Sequence, residues 1–271
     1  MISTFDHIHL KKGQYLAPDY QVTDFEEVSV GITNYNTVTE TGVWHSHEKP
    51  MISFVLYGNN TEFRKGNSTK RVAGSVNFYH SHEPHRNVYN CFPSKHISLE
   101  LDPQFLERYG YIEADIDLAV KKGHEPIFTF IKVMSEALLN DMQSKDVIEM
   151  LFVAFVENSL NLKKEDLLPH WAISVRELLN DRWNENISLQ ELATNVGVHP
   201  TTISKHFRKY FQCTMGEYTR KLKVKKAIDL LHTSKHSLTE IAYICGFSDQ
   251  SHFIRIFKSM TGYLPRTYLK L

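Results

Sequence analysis

The sequence reads as an α+β protein of two domains, a β-barrel or double-sheet roll followed by helices and then an all-helical domain. Three observations lead there: short strands punctuated by turn residues in the first part of the chain, helical spacing of apolar residues after Asp102, and an internal repeat that begins at Ser188. With 271 residues, 42% hydrophobic and 23% charged, the chain can bury two cores and is neither disordered nor fibrous.

Strands are expected over residues 28–33, 51–57, 71–79 and 96–101, separated by turn signals such as Gly58-Asn59-Asn60, Lys65-Gly66-Asn67 and Ala73-Gly74. In the last of them Ile97, Leu99 and Leu101 alternate with Ser98 and Glu100, which predicts a strand with one wet face. Asp102 followed by Pro103 supplies a helix N-cap and first helical position. Helices are then expected over 126–140, from Ile127, Phe130, Ile131, Met134 and Leu138, and over 146–162, from Val147, Met150, Leu151, Ala154, Phe155 and Leu162. Their apolar faces either cover the sheet or pair with a second copy. The polar stretch 163–166, closed by Pro169, marks the boundary and divides the chain into domains 1–165 and 166–271.

Beyond the boundary, S-L-Q-E-L-A at 188–193 reappears as S-L-T-E-I-A at 237–242, with Gly197 and Gly246 following. Each copy opens on S-x-x-E, the signature of a capping box. A second helix follows each turn. His199 and Pro200 open the first, with Ile203, Phe207 and Tyr210 on one face; Asp249 caps the other, which buries Phe253, Ile256 and Phe257. These are two tandem helix-turn-helix units, and such a unit lays its second helix in the major groove of DNA. The outward residues are Thr201, Thr202, Ser204, Lys205 and Arg208 on the first helix and Gln250, Ser251, Ile254, Arg255 and Lys258 on the second. Lys and Arg donate to guanine, Gln and Ser bond several base edges, and an apolar group touches the thymine methyl.

The segment 216–232 joins the units with Tyr218, Leu222, Ala227, Leu230 and Leu231 as its core face and Arg220, Lys221, Lys223, Lys225 and Lys226 as a basic run. As a helix of roughly 25 Å it suits two reading heads about one duplex turn, ~34 Å, apart. Charge is divided accordingly. From Trp171 onward there are 15 Lys and Arg against 8 Asp and Glu; with 31 of each in total, 16 basic and 23 acidic residues remain before it, so the two parts carry +7 and −7. Double-stranded DNA is the expected partner of the basic part.

Ile241, Ala242, the run from Gly246 through Phe253, Arg255, Phe257, Lys258, Gly262, Pro265 and Tyr268 resemble the second helix-turn-helix signature of the AraC/XylS family of bacterial transcription regulators. The resemblance covers about residues 172–271. It implies that Thr201, Ser204, Lys205, Gln250, Ser251 and Arg255 read or line the groove. Gln212 stands where the family's first unit often has Gly, and Ile254 where a polar residue is frequent.

In the first domain the pattern Gly42, His45, His47, Gly58, then Gly74, His80, His82, His85 looks like the two cupin motifs, and regulators of this family commonly place a cupin-like effector barrel before the DNA-binding domain. H-x-H on a strand sets both imidazoles on one face, as a metal requires. Met51 and Ile52 stand where metal cupins carry a Glu, and Glu48 points the other way. No metal or cofactor is therefore expected, although His45, His47 and His85 leave a three-ligand site open. Trp44, His45, His47, Tyr57, Phe78, His80 and His85 are the candidate wall of an effector pocket.

These observations together suggest a cytoplasmic, non-enzymatic regulator, an activator or repressor, controlled by a small molecule. Its expected partners are DNA, an effector, a second copy as a homodimer, and RNA polymerase. Two alternatives stand beside it: a metal-dependent cupin enzyme fused to a DNA-binding module, and a constitutive regulator whose barrel only dimerises. No apolar run suits a membrane span, no secretory signal opens the chain, and Cys91, Cys213 and Cys245 lack disulfide or zinc spacing.

Overall fold

A computed structural model describes residues 7–37, 42–122, 126–160 and 168–270. The chain divides into two compact units, Met1–Asn161 and Leu162–Leu271. The expected boundary at residue 165 and Leu162 both lie outside the described residues.

The first unit contains β1 (Ile8–Leu10), β2 (Asp19–Phe25), β3 (Val28–Tyr35), β4 (His45–His47), β5 (Met51–Tyr57), β6 (Asn59–Arg64), β7 (Asn67–Val72), β8 (Val76–Tyr79), β9 (His85–Tyr89) and β10 (Ser94–Leu101). They form two five-stranded sheets, ordered β1-β4-β9-β6-β7 and β2-β3-β10-β5-β8. All pairings are antiparallel except β1 with β4. This is the double-sheet roll that the strand spacing suggests. The stretch expected as one strand over 71–79 is divided between β7 and β8, because Gly74 adopts a positive φ of 84° between them.

Helices α1 (Pro103–Arg108), α2 (Glu113–Lys122), α3 (Ile127–Leu139) and α4 (Ser144–Leu160) follow. Asp102 occupies the N-cap of α1 without a side-chain cap bond. Its carboxylate pairs instead with Lys49 at 2.5 Å and Lys12 at 3.3 Å, so charge rather than capping claims it. Helix α3 buries Ile127, Phe130, Ile131 and Met134, and Phe130 stacks on Phe54 of β5 with ring centroids 5.6 Å apart. Covering the sheet thus accounts for most of that stripe. On α4, Ile148, Phe152, Phe155 and Val156 are buried, whereas Met150 and Ala154 remain exposed.

Strand β10 corrects the expectation of a wet face. It lies between β3 and β5, and all eight of its residues are buried. Ser98 and His96 line the interior of the roll, and Glu100 accepts hydrogen bonds from the Gly13 amide (2.7 Å) and the Ser29 hydroxyl (3.1 Å). The alternation is real, but its polar side faces inward.

The second unit is entirely helical among the described residues: α5 (His170–Asp181), α6 (Leu189–Val196), α7 (Pro200–Phe211), α8 (Met215–Thr233), α9 (Leu238–Ile244), α10 (Gln250–Thr261) and α11 (Pro265–Tyr268). Ala172, Val175, Leu179, Leu192, Ile203, Phe207, Tyr218 and Leu222 form one core. Around α9 and α10 the buried set is Ile241, Ala242, Phe247, Phe253, Phe257 and Tyr268. Tyr210 and Ile256, expected on the apolar faces, are half-buried.

The capping chemistry differs between the repeats. Ser237 and Glu240 make the full reciprocal box. Ser188 accepts from the Glu191 amide at 3.1 Å, but the Glu191 carboxylate turns to Arg182 at 2.8 Å, so only half the expected box forms. Thr214 and Glu217 close a further box at the start of α8. Gln212 ends α7 in the left-handed region at φ 56°, as Gly262 ends α10 at φ 81°. A side chain there costs about 1 kcal/mol, which the Gln212 amide's bond to the Lys209 carbonyl (3.1 Å) offsets only in part. Gln212→Gly is expected to stabilise this domain by roughly 0.5–1 kcal/mol, read as a higher urea midpoint at unchanged slope.

Candidate nucleic-acid interface and barrel cavity

Both helix-turn-helix turns close in the same way. The Val198 amide donates to the Ala193 carbonyl (3.1 Å) across Gly197, and the Phe247 amide to the Ala242 carbonyl (2.9 Å) across Gly246. Gly197 and Gly246 have φ of 71° and 69°. Gly246 is required twice over, since a Cβ there would stand 1.8 Å from the Asn184 carbonyl oxygen. The recognition helices α7 and α10 are each 12 residues long. His199 caps α7 through the Thr201 amide (3.3 Å), and Asp249 caps α10 through the His252 amide (2.7 Å).

Burying Ile203 with Phe207, and Phe253 with Phe257, turns the opposite faces outward. Thr201, Ser204, Lys205, Arg208, Ser251, Arg255 and Lys258 are exposed; Thr202, Gln250 and Ile254 are half-buried. Gln250 is held by Thr239, whose hydroxyl donates to its side-chain oxygen at 2.6 Å, leaving the amide donors to face outward chemistry.

One basic residue lies elsewhere. Lys223, which the sequence pattern puts in a solvated run, is buried at 6% exposure. Its ammonium donates to Asn186 Oδ1 and to the Gly246 carbonyl, each at 2.8 Å, and burial holds its pKa below the ordinary lysine value. It joins the loop before α6 to the turn after α9, so the residue fixes the two helix-turn-helix units against one another. Helical spacing offers a signal, since Lys223 stands four residues before Ala227, a core-face position that is fully buried.

In the roll, a cavity of about 60 Å³ is bounded by polar and aromatic groups. His45, His47 and His85 of the expected wall line it; Trp44, Tyr57, Phe78 and His80 do not. The reason is pleat parity. On β8 the inward residues are Asn77 and Tyr79, so Phe78 goes into the core beneath the helices at 1% exposure. His80 follows it outward and bonds Glu113 of α2 at 2.8 Å. Trp44 lies under the Arg86 guanidinium, 5.6 Å from its ring centre. Tyr57 sits beyond the irregularity at Lys95 and His96 that shifts the β5 register. Sequence reading missed Tyr15, Glu62, Arg71, Asn77, Tyr79, Asn87, Tyr89 and His96. Part of the signal was there: His85, Asn87 and Tyr89 recur with period two, as do Asn60 and Glu62.

Glu62, 2% exposed, anchors the polar wall. It accepts from Arg64 Nε (2.6 Å), Arg71 Nε (3.3 Å), the Tyr79 hydroxyl (2.9 Å) and Asn77. Burial and then the Glu62 charge push the Tyr79 hydroxyl up. Burial lowers all three cavity histidines, His47 to about 3. The ligand nitrogens of His45, His47 and His85 all lie within 4.8 Å of one another, a grouping that could hold a metal. No helix among the described residues is long and apolar enough to cross a membrane.

Two capped helix-turn-helix units on a joining helix define a double helix-turn-helix domain. Residues 192–271 match the family model described as a helix-turn-helix domain. Over 88 residues the chain is 33% identical to the HTH-type transcriptional activator RhaS of Salmonella arizonae, and equally to that of Salmonella newport, covering 32% of this chain and 32% of each relative. The match thus spans about a third of the length of these curated relatives. Among solved structures, ToxT from Vibrio cholerae is 16% identical at TM-score 0.38, covering 90% of this chain and 98% of that one. The DNA-binding domain of AdpA in complex with a target DNA is 24% identical at TM-score 0.35, covering 37% and 90%. The family match runs from within α6 to the end of the chain and so takes in both recognition helices, α7 and α10.

Two measurements follow from these sites. Lys223→Met leaves the Gly246 carbonyl and Asn186 without the ammonium's hydrogen bonds and is expected to cost about 1–3 kcal/mol of stability by urea titration. The buried His96 has its pKa pushed down to about 3 by desolvation. Unfolding restores the ordinary value near 6.5, so the unfolded state takes up the proton as pH falls from about 6.5 toward 3, and stability falls with it. At pH 5 this residue costs about 2 kcal/mol; His96→Asn is expected to flatten the fall in denaturant midpoint between pH 7 and 5.

Proposed function

We propose that the chain is a sequence-specific DNA-binding transcription regulator whose roll binds a small effector. The observation that carries this reading is the pair of equal recognition helices, each capped and each presenting basic and hydroxyl side chains, within a part of the chain that holds 15 basic against 8 acidic residues. Helix α8, with 19 residues, is about 28 Å long, close to one turn of duplex, so a single chain is suited to successive major grooves on one side of DNA. Thr201, Thr202, Ser204, Lys205, Arg208, Gln250, Ser251, Arg255 and Lys258 are the proposed groove residues. Lys225 and Lys226 at the surface of α8 supply phosphate contacts.

In this reading the regulator is cytoplasmic, the roll senses and does no chemistry, and its first domain spans roughly residues 1–165. Exposed Met150 and Ala154 on α4, with Leu139 and Met142 beside them in sequence, support pairing of two copies into a homodimer. Activation would proceed through contact with RNA polymerase. A regulator requires only that its effector bind two arrangements of the molecule unequally.

Selection of bound sites from random duplex DNA supplies an operator on which the proposal can be tested. Lys205→Ala and Arg255→Ala are each expected to weaken binding to it by about 1–3 kcal/mol and to relax base preference at the position each reads. Gel-shift titration measures this, and affinities equal to wild type for both variants would overturn the assigned reading heads.

A further inference from the structure

We infer that the outer face of the sheet β1-β4-β9-β6-β7 is a docking surface for a short acidic segment of another protein, with Arg86 as the residue that receives its carboxylate. Pleat parity defines the face. Glu62, Arg71 and Asn87 line the interior, so Phe63, Lys70, Arg86 and Val88 point outward. Phe63 pairs with Arg86 across β6 and β9, and Thr61 stands between Lys70 and Val88. Helices α2 and α3 pack on β8, β3 and β5, which all belong to the other sheet. Lys70 and Val72 are exposed, and Phe63, Arg86 and Val88 half-buried.

Arg86 is unlike the other arginines of this sheet. Arg64 and Arg71 turn inward, and both pair with Glu62. Arg86 has no hydrogen bond or ion pair among the described residues, and its Nε is buried without a partner. What holds it is aromatic: its guanidinium carbon lies 4.5 Å from the Phe63 ring centre and 5.6 Å from that of Trp44. Glu62 is the one carboxylate among the residues of the five strands, and it faces inward. The outward side thus presents Arg86 and Lys70 with no strand carboxylate to answer them, in a part of the chain whose net charge is −7. Complementarity asks for an acidic partner.

Geometry and chemistry narrow the occupant. A planar fork held against two rings has little freedom left to lose, and its spare N–H groups match a carboxylate bidentately. Because the guanidinium covers Phe63 and Trp44, these rings are not open platforms for stacked bases, and two cations fall short of the ~6–10 phosphate contacts of a polyanion track. Exposed Val72 and half-buried Val88 add apolar surface beside the charge, the aromatic, arginine and aliphatic mixture of a protein interface. At ordinary strand spacing and rise, β9, β6 and β7 make a patch roughly 10 Å across and ~17–20 Å long. That accommodates about six residues of extended chain and is well short of the ~800 Å² per side of a domain interface.

The test uses the full chain. Short peptides are selected from a random display library on the wild-type protein with counter-selection on Arg86→Ala, then synthesised and titrated by calorimetry. Enrichment of Asp or Glu beside Val, Leu or Ile is expected, with binding ~10–100-fold weaker to Arg86→Ala. Arg86→Lys keeps the charge but loses the planar fork, and it too is expected to bind more weakly than wild type. Replacing the peptide carboxylate by an amide is expected to cost little further in Arg86→Ala, a non-additivity that mere loosening of Trp44 and Phe63 does not produce. Selected peptides indifferent to Arg86, Arg86-dependent peptides without a carboxylate, or additive losses in the cycle overturn the proposal. So does Arg86-dependent binding of an oligo-dT strand tighter than that of the peptides, which assigns the face to nucleic acid. Operator binding does not enter these measurements, so their outcome is independent of the regulator reading.

Discussion

The organisation of the roll depends on pleat parity. A strand covered on one side by helices sends every second side chain the other way, and here that other way is an enclosed interior. On β5, Phe54 packs under α3 while Ser53 and Val55 face the cavity. On β10, His96 and Ser98 face inward. Because the inward set is polar, it needs internal partners, and Glu62 supplies them to Arg64, Arg71, Asn77 and Tyr79. The cavity is thus a consequence of where the apolar residues had to go.

The helical domain answers to a different requirement. Two short helix-turn-helix units each have a small core of aromatic residues, and the joining helix must serve both. Helix α8 does so by burying Tyr218 and Leu222 toward one core and carrying Lys223 to the Gly246 turn of the other unit. A buried ammonium is costly unless fully hydrogen-bonded; two close acceptors, Asn186 and Gly246, meet that condition and make the contact directional where an apolar side chain would not. The same Gly246 has no room for a side chain beside Asn184. The direction in which the exposed faces of α7 and α10 point depends on this inner arrangement, since each helix faces where its support places it.

Much of this is legible in the amino-acid order, and the misses share a cause. The repeated S-x-x-E segments, the glycines after them and the spacing of Phe207 and Phe257 locate both helix-turn-helix units, because capping and periodicity are local effects that act over four to eight residues. The pattern around β8 puts Phe78 and His80 one residue out of phase with the true inward pair, Asn77 and Tyr79. Ser98 and Glu100 look as though they face water because a polar face normally does. Glu191 has the position to cap its own helix fully and is drawn away by Arg182. In each case the local signal is correct and a distant partner chooses the outcome.

Spacing along single segments is thus enough to specify the class of each domain, the two units with their turns, and the histidines capable of ligation. It does not specify which face of a strand lies inside or that Lys223 is an internal tie. Those outcomes come from sheet order and from helices packed from elsewhere in the chain, and no local pattern encodes which of two chemically similar faces a remote element will cover.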